Sequence, residues 1–272
     1  MAFTLTTVRG FERLTELHAR ERQQKDNLCG AFWGALVLQA AGFTEFEGET
    51  IDQDLVAYEI GSRMPRGDPY DYVPPGATPR NDYRLPLRTT ADESASGTGA
   101  ERLGSGIERL SRGALVAISL TADWDGERVL RLVEAAAADE AELVANVRTG
   151  HFWGSRPDAR LVLDHLAGRP VEAPPADWDV GHFVSLAATI AGPAGSLVVV
   201  RDTYPTLGWG GYHVQPPDAV AAALLRGDGF EGGVLWICLA ERAESIRARL
   251  VMEGYDLRFW DNGTPDTEEE GD

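Results

Sequence analysis

The stretch Gln23-Gln24-Lys25-Asp26-Asn27-Leu28-Cys29-Gly30-Ala31-Phe32-Trp33 decides how this chain is read. From Ala31 to Ala41 no residue is charged and only Gln39 has a polar side chain, and Gly42 follows. A helix that is apolar on nearly all sides is a buried one, and glycine just past its last turn supplies a left-handed stop. Cys29 therefore opens a core helix, where the positive end of the helix dipole favours thiolate and makes the sulfur a nucleophile. Gln23, six residues upstream, is placed to donate a side-chain N–H to an oxyanion beside that sulfur. A lone cysteine at a helix start is more often a small buried hydrophobe, so the reading depends on what else the chain supplies.

Two later segments supply it. Gly181-His182-Phe183-Val184-Ser185-Leu186 opens an apolar strand, and Leu197-Val198-Val199-Val200-Arg201-Asp202 is a second strand ending on a carboxylate. The link Ala191-Gly192-Pro193-Ala194-Gly195 is turn chemistry, so the two strands pair as a hairpin. A five-residue loop sets Asp202 opposite Val184, one diagonal step from His182 on the same face. Such neighbours lie about 7–8 Å apart at the backbone, within reach of an imidazole and a carboxylate leaning together. A loop of four or six residues would put them on opposite faces unless a bulge intervened.

The ordered set Gln23-x5-Cys29-Gly30, Gly181-His182 and strand-end Asp202 resembles the papain-like cysteine peptidase superfamily, and within it the bacterial double-glycine peptidases that trim bacteriocin leader sequences. A helix, Gly113 and the strand Ala114 to Leu120 before the His182 strand is a further likeness. The resemblance spans residues 20–45, 105–121 and 180–240. It implies an α+β fold in which a buried N-terminal helix carrying Cys29 packs against an antiparallel sheet carrying His182 and Asp202. It also implies roles: Gln23 in the oxyanion hole, Cys29 as nucleophile, His182 as general base and acid, Asp202 orienting the imidazole. Residues 46–105 and 122–180 depart from the pattern and read as insertions in a single domain over 1–260.

Composition narrows the remaining possibilities. Apolar residues make up 43% and charged residues 25% of 272, ordinary values for a globular chain. A net charge of −18 argues against a nucleic-acid partner. Lys25 is the only lysine among 25 basic residues, a bias typical of GC-rich bacterial coding. No apolar run reaches membrane-spanning length, and the first ten residues do not read as a signal peptide. A reducing cytoplasm is thus the expected compartment, with Cys29 and Cys238 both free and Cys238 filling an apolar strand, Gly233 to Leu239. Zinc-type histidine or cysteine spacing, phosphate loops and dinucleotide fingerprints are missing from the sequence, so neither metal nor cofactor is expected.

Other segments are predicted as follows. Helices are expected over Thr7–Gln24, Thr50–Ile60, Ile107–Arg112, Asp125–Val147, Arg160–Gly168, Pro216–Arg226 and Ala243–Met252. Gly61 to Gly106, broken by Pro65, Pro69, Pro74, Pro75, Pro79 and Pro86, is irregular. Its Tyr70, Tyr72, Arg80 and Tyr83, with Trp33, Trp153 and Trp209 elsewhere, are candidates for a substrate-binding surface. His151 and His213 rival His182 as base, and His18 reads as a surface residue. Asp261 to Asp272 carries six carboxylates and no base, the pattern of a disordered tail. The function expected is narrow-specificity cleavage of an amide bond in a peptide through a thioester. The alternatives are a transglutaminase-like amidase or acyltransferase, and a papain-fold protein that binds without turnover.

Overall fold

The central strands read as unbroken apolar runs because helices cover both of their faces. The computed structural model describes residues 2–8, 10, 13–67 and 72–265. Its elements are β1 Thr4–Thr7, α1 Leu14–Glu21, α2 Cys29–Ala40, β2 Glu45–Phe46, β3 Glu49–Thr50, α3 Gln53–Ile60, β4 Arg63–Pro65, β5 Arg88–Thr90 and α4 Ala100–Leu110. There follow β6 Leu115–Leu120, α5 Gly126–Asp139, β7 Glu142–Arg148, α6 Ala159–Leu166, β8 Gly181–Ala191, β9 Ser196–Arg201, β10 Tyr212–Gln215, α7 Pro217–Leu225, β11 Gly233–Leu239 and α8 Ala240–Met252. Seven strands form one antiparallel sheet in the order β10-β9-β8-β7-β11-β6, with β1 pairing the far end of β8. Strand β11 shows how the layers share it. Leu235 and Ile237 face the cluster of α1 to α4, while Val234, Trp236 and Cys238 face that of α5, α7 and α8.

Helix α2 lies on the first of these faces. From Gly30 to Leu38 every residue is buried, as its lack of charge requires. Trp33 Nε1 donates to the carbonyl of Phe183 at 3.0 Å, fixing the helix against β8. The approach is close: a Cβ on Gly30 would sit 2.9 Å from Thr98 Cβ and 3.2 Å from Phe183, so only glycine lets the first turn of α2 press onto the strand.

The β8–β9 hairpin turns on four residues, not five. Ala191 pairs with Ser196, and a bulge at Ala187 then shifts the register, so Leu186 meets Val200 and Ser185 meets Arg201. Continued one residue, Val184 faces Asp202. The bulge restores the parity that the shorter turn would have broken, and His182 and Asp202 share a face. The turn is tight because α6 sits on it: a Cβ at Gly195 would fall 2.2 Å from the His165 carbonyl.

Three regions differ from expectation. The helix expected over Asp125–Val147 ends at Asp139, where Glu140 takes a left-handed φ of 54°. Beyond it, Leu143-Val144 and Val147 become β7, since a β-branched apolar run between two open strands gains more from pairing than from helix. The segment 122–180 is thus no appendage, for β7 lies between β8 and β11 in mid-sheet. Residues 46–105 are likewise built in, with Ile51, Val56 and Ile60 buried in the α2 cluster. The tail expected to be loose from Asp261 is docked as far as it is described: Asn262 Nδ2 donates to the Thr98 carbonyl at 2.9 Å and Thr264 Oγ1 to that of Ser96 at 2.8 Å. The acidic residues responsible for that expectation, Asp266 to Asp272, lie outside the described residues. Among the described residues, no helix is long and apolar enough to cross a membrane.

Candidate functional site

Cys29, His182 and Asp202 meet at one end of the sheet, beside a cavity of about 350 Å³. Each is delivered by a different element. Cys29 is the half-buried first residue of α2; it lines the cavity beside His182, and its thiol bears electrostatically on the imidazole. His182 is the second residue of β8, and Asp202 follows β9 directly. His182 Nε2 donates to Asp202 Oδ1 at 3.2 Å and also lies 3.3 Å from Thr203 Oγ1. That leaves Nδ1 as the ring nitrogen available to the thiol. Trp178 stands edge-on to the imidazole at 5.1 Å and Tyr204 lies 6.1 Å from it, with the two aromatic rings 5.4 Å from each other, so together they cover one side of the imidazole.

The electrostatics follow from this burial. Desolvation alone would push the His182 imidazole down, but the charge and hydrogen bond of Asp202, with the Cys29 contact, outweigh it and raise the imidazole to about 10. Burial would push the Asp202 carboxyl up, but His182 and His213 hold it well below the usual carboxylate range. Both shifts carry a sign for stability. The His182 contribution is complete below its ordinary 6.5 and is lost as pH rises through about 10. The Asp202 contribution is present above 3.8 and lost as pH falls through its depressed value. Thermal melts should therefore reach their highest midpoint between these limits and decline from pH 6.5 toward 10. A midpoint flat over that alkaline range would show that the two groups are not paired in solution.

The loop before Cys29 is held by a dense set of struts. Lys25 Nζ pairs with Asp54 Oδ2 at 2.6 Å, both side chains buried, and Lys25 N donates to Gln53 Oε1 at 2.6 Å. Asp26 N donates to the Arg80 carbonyl at 2.8 Å, while Arg80 N returns a bond to Asp26 Oδ1 at 3.0 Å. Arg80 Nη1 donates to the Gln23 carbonyl at 2.7 Å, and Tyr83 Oη donates to the Asp26 carbonyl at 3.0 Å. Arg80 and Tyr83 therefore brace this loop and do not face the cavity.

Gln23, expected to reach an oxyanion beside the sulfur, does not reach the cavity, whereas its neighbour Gln24 does. Gln23 Nε2 donates to the Thr78 carbonyl at 2.6 Å on the exposed side of the loop and is not at the cavity. Gln24 is buried and lines the cavity with Cys29. Its Oε1 accepts from Thr203 Oγ1 at 2.5 Å, which leaves Nε2 as the end of the amide facing the cavity. Gln24 is held there by Thr203, whose carbonyl accepts from Gln24 N at 3.1 Å, and a tight turn follows in which Asn27 takes a left-handed φ of 60° and Leu28 N bonds the Lys25 carbonyl at 3.0 Å.

The remaining candidates are scattered. Tyr72 lines the cavity, its Oη donating to Glu93 Oε2 at 2.6 Å, whereas Tyr70 lies outside the described residues. Trp33 is core, Trp153 is buried in another cluster against Leu166, and Trp209 is 59% exposed away from the cavity. His151 Nε2 meets the Arg226 carbonyl at 2.6 Å. His18 is buried, not at the surface: it stacks on Trp33 at 5.3 Å, and its Nε2 donates to the Asp202 carbonyl at 2.7 Å. Its spacing from Leu14 and Leu17 on one helical stripe was the signal for that burial. Trp178, Thr203 and Gln24 carried no comparable signal, since each reaches the site through tertiary pairing alone. Among the described residues, no group of three or more His, Cys, Asp and Glu side chains is arranged to hold a metal ion. No curated protein matches this chain. Residues 8–261 match a family of unknown function (DUF6885), and the chain belongs to that family.

Proposed function

We propose that this protein is a cysteine hydrolase that cleaves an amide bond through a thioester. The observation that carries the reading is the buried His182, set between the Cys29 thiol and the Asp202 carboxylate at the wall of an open cavity. In the first half-reaction the Cys29 Sγ–carbonyl bond forms with the thiol proton already resting on the His182 imidazolium. The negative oxygen is met by Gln24 Nε2 and by the Cys29 backbone N–H, which as the first of α2 has no acceptor within the helix. Collapse breaks the C–N bond, and His182 passes its proton to the departing amine. Water then attacks the thioester, His182 takes a proton from it, and the carboxylic acid leaves as the proton returns to sulfur.

A peptide is the favoured substrate. The cavity is lined in part by Tyr72, Glu93 and Ser96 of the stretch between α3 and α4, a wall suited to one sequence more than to bulk protein. Poor digestion of casein alongside ready cleavage of one peptide in a mixed library would support narrow specificity, and free casein digestion would defeat it.

The thiols offer the most direct test. Burial in β11 pushes Cys238 up to about 11, whereas Cys29 opens onto the cavity. Iodoacetamide at neutral pH, followed by peptide mapping, should label Cys29 at least about tenfold faster than Cys238. Equal or reversed labelling of the folded protein would refute the proposed nucleophile. If Cys29 reacts yet no peptide or amide library yields product, the papain-fold binding alternative is favoured. The two glutamines should separate in the same assays. Gln24→Ala is expected to lower turnover by about 10²–10³-fold, and Gln23→Ala by less than about threefold. A larger loss at Gln23 would return the oxyanion role to that residue.

A further inference from the structure

Among the described residues, the carboxylate of Asp202 finds hydrogen-bond partners at one oxygen alone. Oδ1 accepts from His182 Nε2 at 3.2 Å and from Tyr204 N at 3.0 Å. Oδ2 is buried without a hydrogen-bond partner, and a buried carboxylate oxygen left bare is costly. Across from it stands a second buried imidazole, His213 on β10, whose Nε2 is 3.8 Å away.

The proton on that imidazole can be placed from its neighbours. Gln215 Oε1 accepts from Trp153 N at 2.6 Å, and Gln215 Nε2 donates to the Trp153 carbonyl at 2.9 Å. The flipped amide would set donor against donor and acceptor against acceptor, so its orientation is fixed. The same Nε2 lies 2.9 Å from His213 Nδ1, which must then accept, and the ring N–H falls on Nε2, on the side of Asp202 Oδ2. His213 and Gln215 are two apart on one strand and share a face, so β10 presents the pair as a unit. The Trp153 loop therefore determines, through Gln215, which nitrogen of His213 faces the carboxylate.

We infer that His213 is a positioning residue, whose Nε2–H fixes the Asp202 rotamer that offers Oδ1 to His182. The inference rests on the reading of Cys29 as nucleophile with His182 as its base. His213 is too far from the thiol side of His182 to act on substrate, since Asp202 lies between them. Asp177, which lines a small cavity with Asp202 and His213, turns its Oδ2 to Ser155 N at 2.7 Å. His18 engages the Asp202 backbone carbonyl, Tyr204 N and Thr203 approach from the Oδ1 side, and Arg201 points to Glu142 at 3.1 Å. Among the described residues, the polar side-chain atom recorded facing Oδ2 is His213 Nε2. Without it the carboxylate is free to turn toward other donors, and its alignment with His182 loosens.

The test follows His182 directly. Imidazole NMR titrations of the whole chain, run with the pH profile of Cys29 alkylation, would compare the wild type with His213→Phe, which keeps the ring and removes the donor. The expected result is a fall in the His182 midpoint of about one pH unit or more, which is about tenfold or more in proton affinity, with the alkylation profile moving the same way. Gln215→Leu, which keeps the ring but releases its tautomer, should give a smaller shift in the same direction. A folded His213→Phe protein whose His182 midpoint is unchanged or raised would overturn the inference. If that variant fails to fold, an unchanged midpoint in Gln215→Leu overturns it instead. His182→Ala separates the two levels. If Cys29 alkylation is indifferent to losing His182, the nucleophile–base reading falls and the inference with it. If alkylation depends on His182 but not on His213, only the inference falls.

Discussion

Cys29→Ala is expected to lower amide turnover by at least about 10⁴-fold while leaving the fold intact. The size follows from what is lost: without sulfur no thioester forms, and His182, Asp202 and Gln24 surround an empty position. The rival hydroxyl in reach of the imidazole is Thr203 Oγ1, but it lies against Nε2 on the Asp202 side and already donates to Gln24. It cannot take over, so Thr203→Val in the Cys29→Ala background should change nothing further. Because Cys29 is half-buried at the start of a helix whose remaining length is core, its truncation should cost under about 1 kcal/mol of stability. Single-turnover cleavage of a peptide–amide library, scored with thermal melts, checks both halves. Turnover surviving in Cys29→Ala would place the chemistry elsewhere.

The largest effect on stability should come from the single lysine. Lys25 and Asp54 form a buried ion pair at 2.6 Å, with side-chain exposures of 8% and 4%. Lys25 also donates to the Asp82 carbonyl at 2.5 Å, and Asp54 accepts from Arg84 N at 3.2 Å, so the pair ties α3 and the 78–84 loop to the strand of chain that leads into Cys29. Removing one partner leaves an uncompensated buried charge, and Lys25→Met should cost about 3–5 kcal/mol. The double variant Lys25→Met with Asp54→Leu should recover much of that loss, since replacing a whole buried pair by apolar groups is often near neutral. Urea midpoints decide the matter, and a loss under about 1 kcal/mol for Lys25→Met would show the pair to be solvated. Cys29 labelling should also slow in the single variant, because the loop carrying Gln24 loses its anchor.

What the sequence disclosed here follows a physical line. Buried helix α2 was legible because eleven residues with no charge admit few other fates, and β8 and β9 because apolar runs around turn chemistry admit few others. The juxtaposition of Cys29, His182 and Asp202 was legible only as a permitted geometry, since a single bulged residue decides the face. Long-range polar pairing was opaque. The arginines and tyrosines of the 61–106 segment look alike as letters, yet Tyr72 lines the cavity while Arg80 and Tyr83 fasten the loop before Cys29. Lys25, which reads as a relic of coding bias, is a buried strut. That Gln24 and not Gln23 lines the cavity depends on its bonds to Thr203, a long-range pairing that spacing rules do not see.

The extra residue at Ala187 also constrains how this hairpin can vary through descent. A four-residue turn and one bulge leave His182 and Asp202 on the same side of the sheet, and so would a five-residue turn with no bulge. Any single insertion or deletion in the turn inverts His182 unless a compensating change occurs at the bulge. Length changes in this hairpin should therefore be found across relatives only in linked pairs, one at the turn and one some five residues before it. A lineage with an unpaired change would have turned its imidazole to the opposite face, and its cysteine would be free to drift.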